Sequence, residues 1–334
     1  MHHISKKIIV SLTAAGLLIG TPLSAILPGS NAQATAKSAS ASKQSKPSKA
    51  IVTAAEKALK EFTGRSYSIG EASQVTINGE MIWDLRIKGV EISQVLMKDS
   101  KVRSIKMEQK WSELKPSYQQ QIQNIMKQTL SEFKTPDSIS LSIDHSNHLK
   151  NKGEIQIHVR SGDHIIIIHN GKLTRHTQIL TNTSIDPAIL EKVQSIFKGW
   201  SGIKQGELQR SQSWLTREGD KEVYKLAFGS SNNPVYIDIN KATGVILKVD
   251  APELQGSQEE FVQSLKKLNS ISEAQLLKQA IKQAPALLQL DLNGYTAKKD
   301  PKMTGIVHFT KPGAPTVSGQ YNTNGEFYIM ERAQ

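Results

Sequence analysis

A helix-forming stretch followed by strand-like stretches and a tight turn recurs four times along this chain. Over residues 51–62, Ile51, Ala55, Ala58, Leu59 and Phe62 share one helical face, and over 118–133 Tyr118, Ile122, Ile125, Met126 and Phe133 do the same. Asp186 before Pro187 predicts a capped start with Leu190, Val193 and Phe197 inward. Ser272 and Gln275 form a capping box ahead of Leu276, Leu277, Ala280 and Ile281. The starts at 51, 118, 187 and 272 lie 67, 69 and 85 residues apart. A second capping box, Ser257 with Glu260, predicts an extra helix over 257–268 that accounts for the longest spacing.

The last turn of each repeat is marked by glycine in three cases: Asn170-Gly171, Thr243-Gly244 and Asn324-Gly325. Lys98 to Lys101 turns without one. The expected fold class is therefore α+β, as tandem units of a helix packed on a three- to four-stranded antiparallel sheet. The unit boundaries are 51–110, 117–180, 186–250 and 257–331, the last with the extra leading helix. One helix covers one sheet face, so the other is expected to meet solvent or a neighbouring unit.

Composition narrows the chemistry. The 334 residues contain no cysteine, which excludes disulfides, thiolate metal sites, iron–sulfur clusters and a cysteine nucleophile. Lys6 and Lys7 precede an uncharged run over 8–20, and Ala32 and Ala34 bracket a small-residue cleavage site. These features predict a signal peptide over 1–34 and a secreted, cell-envelope protein. A retained anchor is the alternative, but thirteen helical residues reach only ~20 Å of a ~30 Å hydrocarbon core. Residues 35–50, rich in Ser, Ala and Lys, bury almost nothing and are expected to form a disordered linker. Loss of the two signal lysines from the full chain's 42 Lys+Arg leaves 40 basic against 30 acidic residues, a net of +10. That balance attracts anionic polymers. Export and the lack of aromatics interleaved with basic clusters argue against nucleic acid.

The run over 222–250, EVYKLAFGSSNNPVYIDINKATGVILKVD, resembles the end of a PepSY domain: a strand, a valine-tyrosine-isoleucine-aspartate strand, a Thr-Gly turn and a closing strand. ISEAQLLKQAIKQAP, from Ile271, is similar to the helix that opens that domain, and VTAAEKALKEF, from Val52, is similar in outline. The second repeat lacks the aspartate seen at Asp238, and the fourth has Gly319-Gln320-Tyr321 at that place. The resemblance implies a small α+β domain of extracytoplasmic proteins and of secreted metallopeptidase propeptides, which restrains peptidases and has no catalytic residues.

Six of the nine histidines fall between His145 and His176. With Ser161-Gly162 and Asn170-Gly171 as two-residue turns, His158 and His176 flank Ile165 across two strand spacings, ~9.6 Å apart. Metal ligands converge to ~2 Å from the ion, so no metal site is expected; a pH-responsive surface is the intermediate possibility. The same arithmetic puts Ile155, Ile157, Val159, Ile166 and Ile168 on a core face, interrupted by His164. Gln156, His158, Arg160, Asp163, Ile165, Ile167, His169, Lys172 and His176 take the other face. Apolar residues rimmed by polar ones suit protein binding, although an adjacent unit could equally bury them. The four tryptophans, Trp83, Trp111, Trp200 and Trp214, are expected to fill core or inter-unit space.

The sequence carries no HExxH, no phosphate loop and no GxSxG elbow, and its carboxylates are scattered. The reading is a non-enzymatic protein without cofactor that binds a protein or peptide, in particular a secreted peptidase, through an exposed sheet face or edge. Ile165, Ile167, His158, His169, His176 and Tyr236 are the contact candidates. The alternative partner is an anionic cell-wall polymer held by charge, and a hydrolase built on His158, His169 and His176 is a third reading.

Overall fold

The computed structural model describes residues 46–77, 79–130, 132–145, 153–181, 185–200, 203, 206–255 and 264–333. The expected signal peptide, with Ala32 and Ala34, most of the linker and 257–263 of the extra helix lie outside these residues. Five helices are described: α1 Lys49–Thr63, α2 Pro116–Leu130, α3 Pro187–Gly199, α4 Leu265–Ser270 and α5 Glu273–Leu287. Their starts follow from local chemistry. Ser48 caps α1, Pro116 opens α2, the Asp186 carboxylate accepts from Ala188 N–H at 2.9 Å above Pro187, and Ser272 and Gln275 close a reciprocal box on α5. Gly64, in the left-handed region at φ 81°, ends α1 by donating to the Lys60 carbonyl.

Four strands follow each of α1, α2, α3 and α5. β1–β4 are Ile69–Ile77, Glu80–Ile87, Ser93–Lys98 and Lys101–Gln109. β5–β8 are Ser138–Asp144, Ile155–Ser161, His164–His169 and Lys172–Ile179. β9–β12 are Trp214–Glu218, Lys221–Phe228, Val235–Asn240 and Ile246–Asp250. β13–β16 are Thr296–Lys299, Ile306–Thr310, Val317–Tyr321 and Phe327–Arg332.

These strands do not form four helix-on-sheet units. They make one sixteen-stranded antiparallel sheet in the order β1 to β12, then β16, β15, β14, β13, which overturns the tandem-unit fold class. The reason lies in the backbone. A four-stranded sheet leaves two rows of unpaired N–H and C=O groups, and here those edges satisfy one another. β4 pairs with β5 through Gln109↔Ile139 and Met107↔Leu141, β8 with β9 through Thr177↔Thr216, and β12 with β16 through Val249↔Met330. The last joint brings together the final strands of two groups, so β13–β16 run through the sheet in reverse order.

The helices pool their coverage as well. α1 and α2 bury Leu59, Phe62, Ile122 and Met126 in one core with Leu85, Met107, Leu141, Ile157 and Ile166. α3, α4 and α5 bury Val193, Phe197, Leu268, Leu276 and Ala284 in a second core with Leu226, Ile237, Val249, Phe309, Phe327 and Met330. Gly319 on β15 accommodates this core, because a Cβ there would meet the Phe327 ring at 2.5 Å. Strand alternation puts all of these core residues on one sheet face. Every helix whose packing is described therefore lies on that face, and the other face carries none among the described residues. No described helix is long and apolar enough to cross a membrane.

Candidate functional site

The helix-free face is where the sequence-predicted residues are to be judged. β6 and β7 pair as Ser161↔His164, Arg160↔Ile165 and His158↔Ile167, so the turn is Gly162-Asp163 rather than Ser161-Gly162. The slip of two residues preserves every face: His158, Ile165, Ile167 and His169 project from the helix-free side, all half-buried. Toward β9 Thr216 continues this surface with Thr177 buried beside it, 3.3 Å away between hydroxyl oxygens, and Ser138, Ser140 and Ser142 line it on β5.

His176 does not join them. A β-bulge after Ile168↔Leu173 inserts one residue into β8, so Ile167 pairs with Arg175 and Ile166 with His176. Thr174 Oγ1 donates to the Ile167 carbonyl at 3.1 Å and ties the bulge down. From that point each β8 side chain takes the opposite face: Arg175 turns outward to Glu218, and His176 turns under the helices, 2% exposed. There its Nε2 lies 3.0 Å from Nδ1 of His164, with the rings stacked at 5.2 Å. Beside them Arg217 lies 3.5 Å from His176 Nδ1 and also binds Glu222, which Lys241 holds at 2.8 Å. This polar group separates the two hydrophobic cores. Two imidazole nitrogens facing each other resemble half a metal site, but a guanidinium stands against one ring. No three His, Asp or Glu side chains converge among the described residues.

The electrostatics of the histidines follow from burial. His158 is pushed down to about 4 by desolvation, reinforced by Lys106, His169 and Arg175, and His176 to about 4 by desolvation, His164 and Arg217. An unfolded imidazole takes its proton near pH ~6.5, so stability present above that pH is lost as pH falls from ~6.5 through about 4. Asp238 and Asp250, raised by burial, act in the opposite sense: their contribution holds at low pH and is lost as pH rises through their elevated values. The melting temperature is therefore expected to fall less between pH 7 and 4.5 in a His158→Gln/His176→Gln variant than in the parent. Equal slopes would contradict it.

Tyr236 lies on the helix-free face but four strands from Ile165, so the structure forms two patches about 19 Å apart by strand spacing. Around Tyr236 the cross-strand register assembles a group that the sequence reading did not isolate. One row runs Trp214, Lys225, Asp238, Lys248, Glu331, and the next runs Ala227, Tyr236, Asp250, Ile329, Gln320. Trp214 and Tyr236 stand 6.2 Å apart, and the Lys225 ammonium sits over both rings, 4.7 Å from the Tyr236 centroid and 5.4 Å from that of Trp214. Lys248 lies 3.8 Å from Asp250 and 3.9 Å from Glu331. Asp238 Oδ1, closed off from solvent, has no hydrogen-bond partner, and burial raises this carboxyl's pKa against the pull of Lys225 and Lys248. Tyr328, bonded to Gln320 at 3.2 Å, is pushed up to about 12 by burial and by the Asp250 charge.

The Gly219-Asp220 hairpin could have shown part of this, because Glu218↔Lys221 places Lys225 opposite Trp214 by counting. The other tryptophans pack elsewhere: Trp83 and Trp111 against the first core and Trp200 within the second. No family model matches the chain, and no curated protein matches it.

Proposed function

We propose that this is a non-enzymatic binding protein of the cell envelope whose helix-free sheet face engages an extended polypeptide and thereby restrains a secreted peptidase. The observation that carries this reading is the one-sided placement of the helices, which leaves a sheet face with an apolar pair, Ile165 and Ile167, set among His158, Arg160 and His169. The resemblance of 222–250 to PepSY domains supports the class of partner, since such domains occur in propeptides of secreted metallopeptidases.

Charge on this face favours a polypeptide over a uniform polyanion. Lys98 and Arg103 share Glu80 at 2.6 and 3.0 Å, Arg175 pairs with Glu218, and Lys248 lies between Asp250 and Glu331. Paired cations have little left to offer a polymer of one sign. The protein beginning at Thr35, in micromolar excess, is expected to slow substrate cleavage by secreted peptidases of its source. An unchanged rate for all of them excludes restraint. Retention on purified cell wall that collapses with salt would favour the polymer instead.

A further inference from the structure

We infer that the Trp214–Tyr236 pair is a receptor for a basic side chain of a bound polypeptide, and that Lys225 occupies it in the free protein. The inference rests on the reading of the helix-free face as a polypeptide-binding surface and specifies the chemistry of one contact on it.

Three observations converge. Two aromatic rings on adjacent positions of the face hold an ammonium between them, the arrangement by which proteins recognise cations. The ammonium belongs to the chain itself, and Lys225 is the direct cross-strand partner of Asp238. Asp238 Oδ1 nevertheless lacks a hydrogen-bond donor while being shut off from water, an arrangement costly enough to call for a donor. A lysine displaced from the rings has an acceptor within reach of its side chain on the neighbouring strand. Exchange thus replaces one cation on the rings by another and supplies the buried carboxylate with its missing partner, since opposite charges directly across a strand pair attract.

The surroundings favour a cationic guest. Glu331 lies in the same row as Asp238 and Asp250 in the next, with Lys248 as their common partner, so once Lys225 has turned to Asp238 the incoming charge meets two carboxylates against one lysine. Arginine is the preferred guest over lysine, because a guanidinium stacks flat on an indole and is less strongly hydrated than an ammonium. Ile329, half-buried beside Asp250, offers its apolar surface to the stem of such a side chain.

The test uses the full chain from Thr35 and a capped five-residue peptide with one arginine among four alanines, with norleucine replacing arginine in the control. The reporter is the indole N–H resonance of Trp214, assigned by its loss in Trp214→Phe. The arginine peptide is expected to shift it saturably and the norleucine peptide not. Lys225→Met, which vacates the rings, is expected to tighten binding about five-fold, whereas Asp238→Asn and Tyr236→Leu weaken it by a similar factor. Tightening on removal of a cation is an effect that a merely structural lysine would not produce. Equal shifts by both peptides, no binding to either the parent or Lys225→Met, or weaker binding in Lys225→Met would overturn the inference. None of these results bears on peptidase restraint, which is read separately by the cleavage assay.

Discussion

An aspartate in place of Ile166 is expected to destabilise the protein by more than ~4 kcal/mol, while the same substitution one residue later, at Ile167, is expected to cost less than ~1 kcal/mol. Ile166 is 1% exposed and sits in the first core with Val159, Ile168 and Ile157 beneath the α1 and α2 side chains. A carboxylate there is cut off from water with only the buried His176 imidazole across the strand, and the packing that an isoleucine provides is lost. Ile167 points the other way, between His158 on β6 and Arg175 on β8, where an acidic group remains hydrated and has a cation nearby. Urea denaturation followed by far-ultraviolet circular dichroism measures both changes. If Ile167 carries partner contact, its variant keeps the fold and loses peptidase restraint. Similar destabilisation by the two substitutions would mean that the second face is covered after all.

Insertion of one alanine between Thr174 and Arg175 is expected to be nearly as damaging, although the site is exposed and lies on a strand surface. With the bulge kept and one residue more after it, the register moves on by one: Arg175 comes opposite Ile166 on the core side, and His176 moves opposite Ile165 on the open side. The rearrangement places a guanidinium against Ile166 and Ile168, breaks the 3.0 Å His164–His176 contact and separates Arg175 from Glu218. A loss of about 3 kcal/mol or more is expected. Thr174→Ala, which removes only the 3.1 Å hydrogen bond to the Ile167 carbonyl, is expected to cost ~1 kcal/mol. Equilibrium denaturation of the two variants distinguishes a register effect from a side-chain effect, because comparable losses would place the cost in the hydroxyl.

What could be read from the residues was local. Helix starts were legible because caps act within four positions: Asp186 reaches Ala188, and Ser272 reaches Gln275. The faces of β6 and β7 were legible because a two-residue slip in the turn leaves parity unchanged. The bulge in β8 left no mark in composition, since Leu173, Thr174 and Arg175 are ordinary strand residues, and it alone misplaced His176. Merging of the strand groups was hidden for a different reason. Pairing of β4 with β5 and of β12 with β16 is made by backbone groups that every residue possesses, so no side-chain pattern distinguishes a free edge from a joined one. Lys225 and Asp238 were inaccessible on the same ground: the loop over 229–234 sets their register, and its length does not fix the turn.

The reversed order of the last four strands bears on how the chain is built as it emerges. Twelve strands can be laid down one after another as they are synthesised, each meeting a neighbour already in place. The lateral bonding groups of β12 then have to wait through about seventy-five further residues until Phe327–Arg332 arrive to close between β12 and β15. The last strand to be synthesised is thus the keystone of the assembled sheet. A chain cut short by a dozen residues loses an interior strand rather than a fringe, and two aggregation-prone borders are left open in its place.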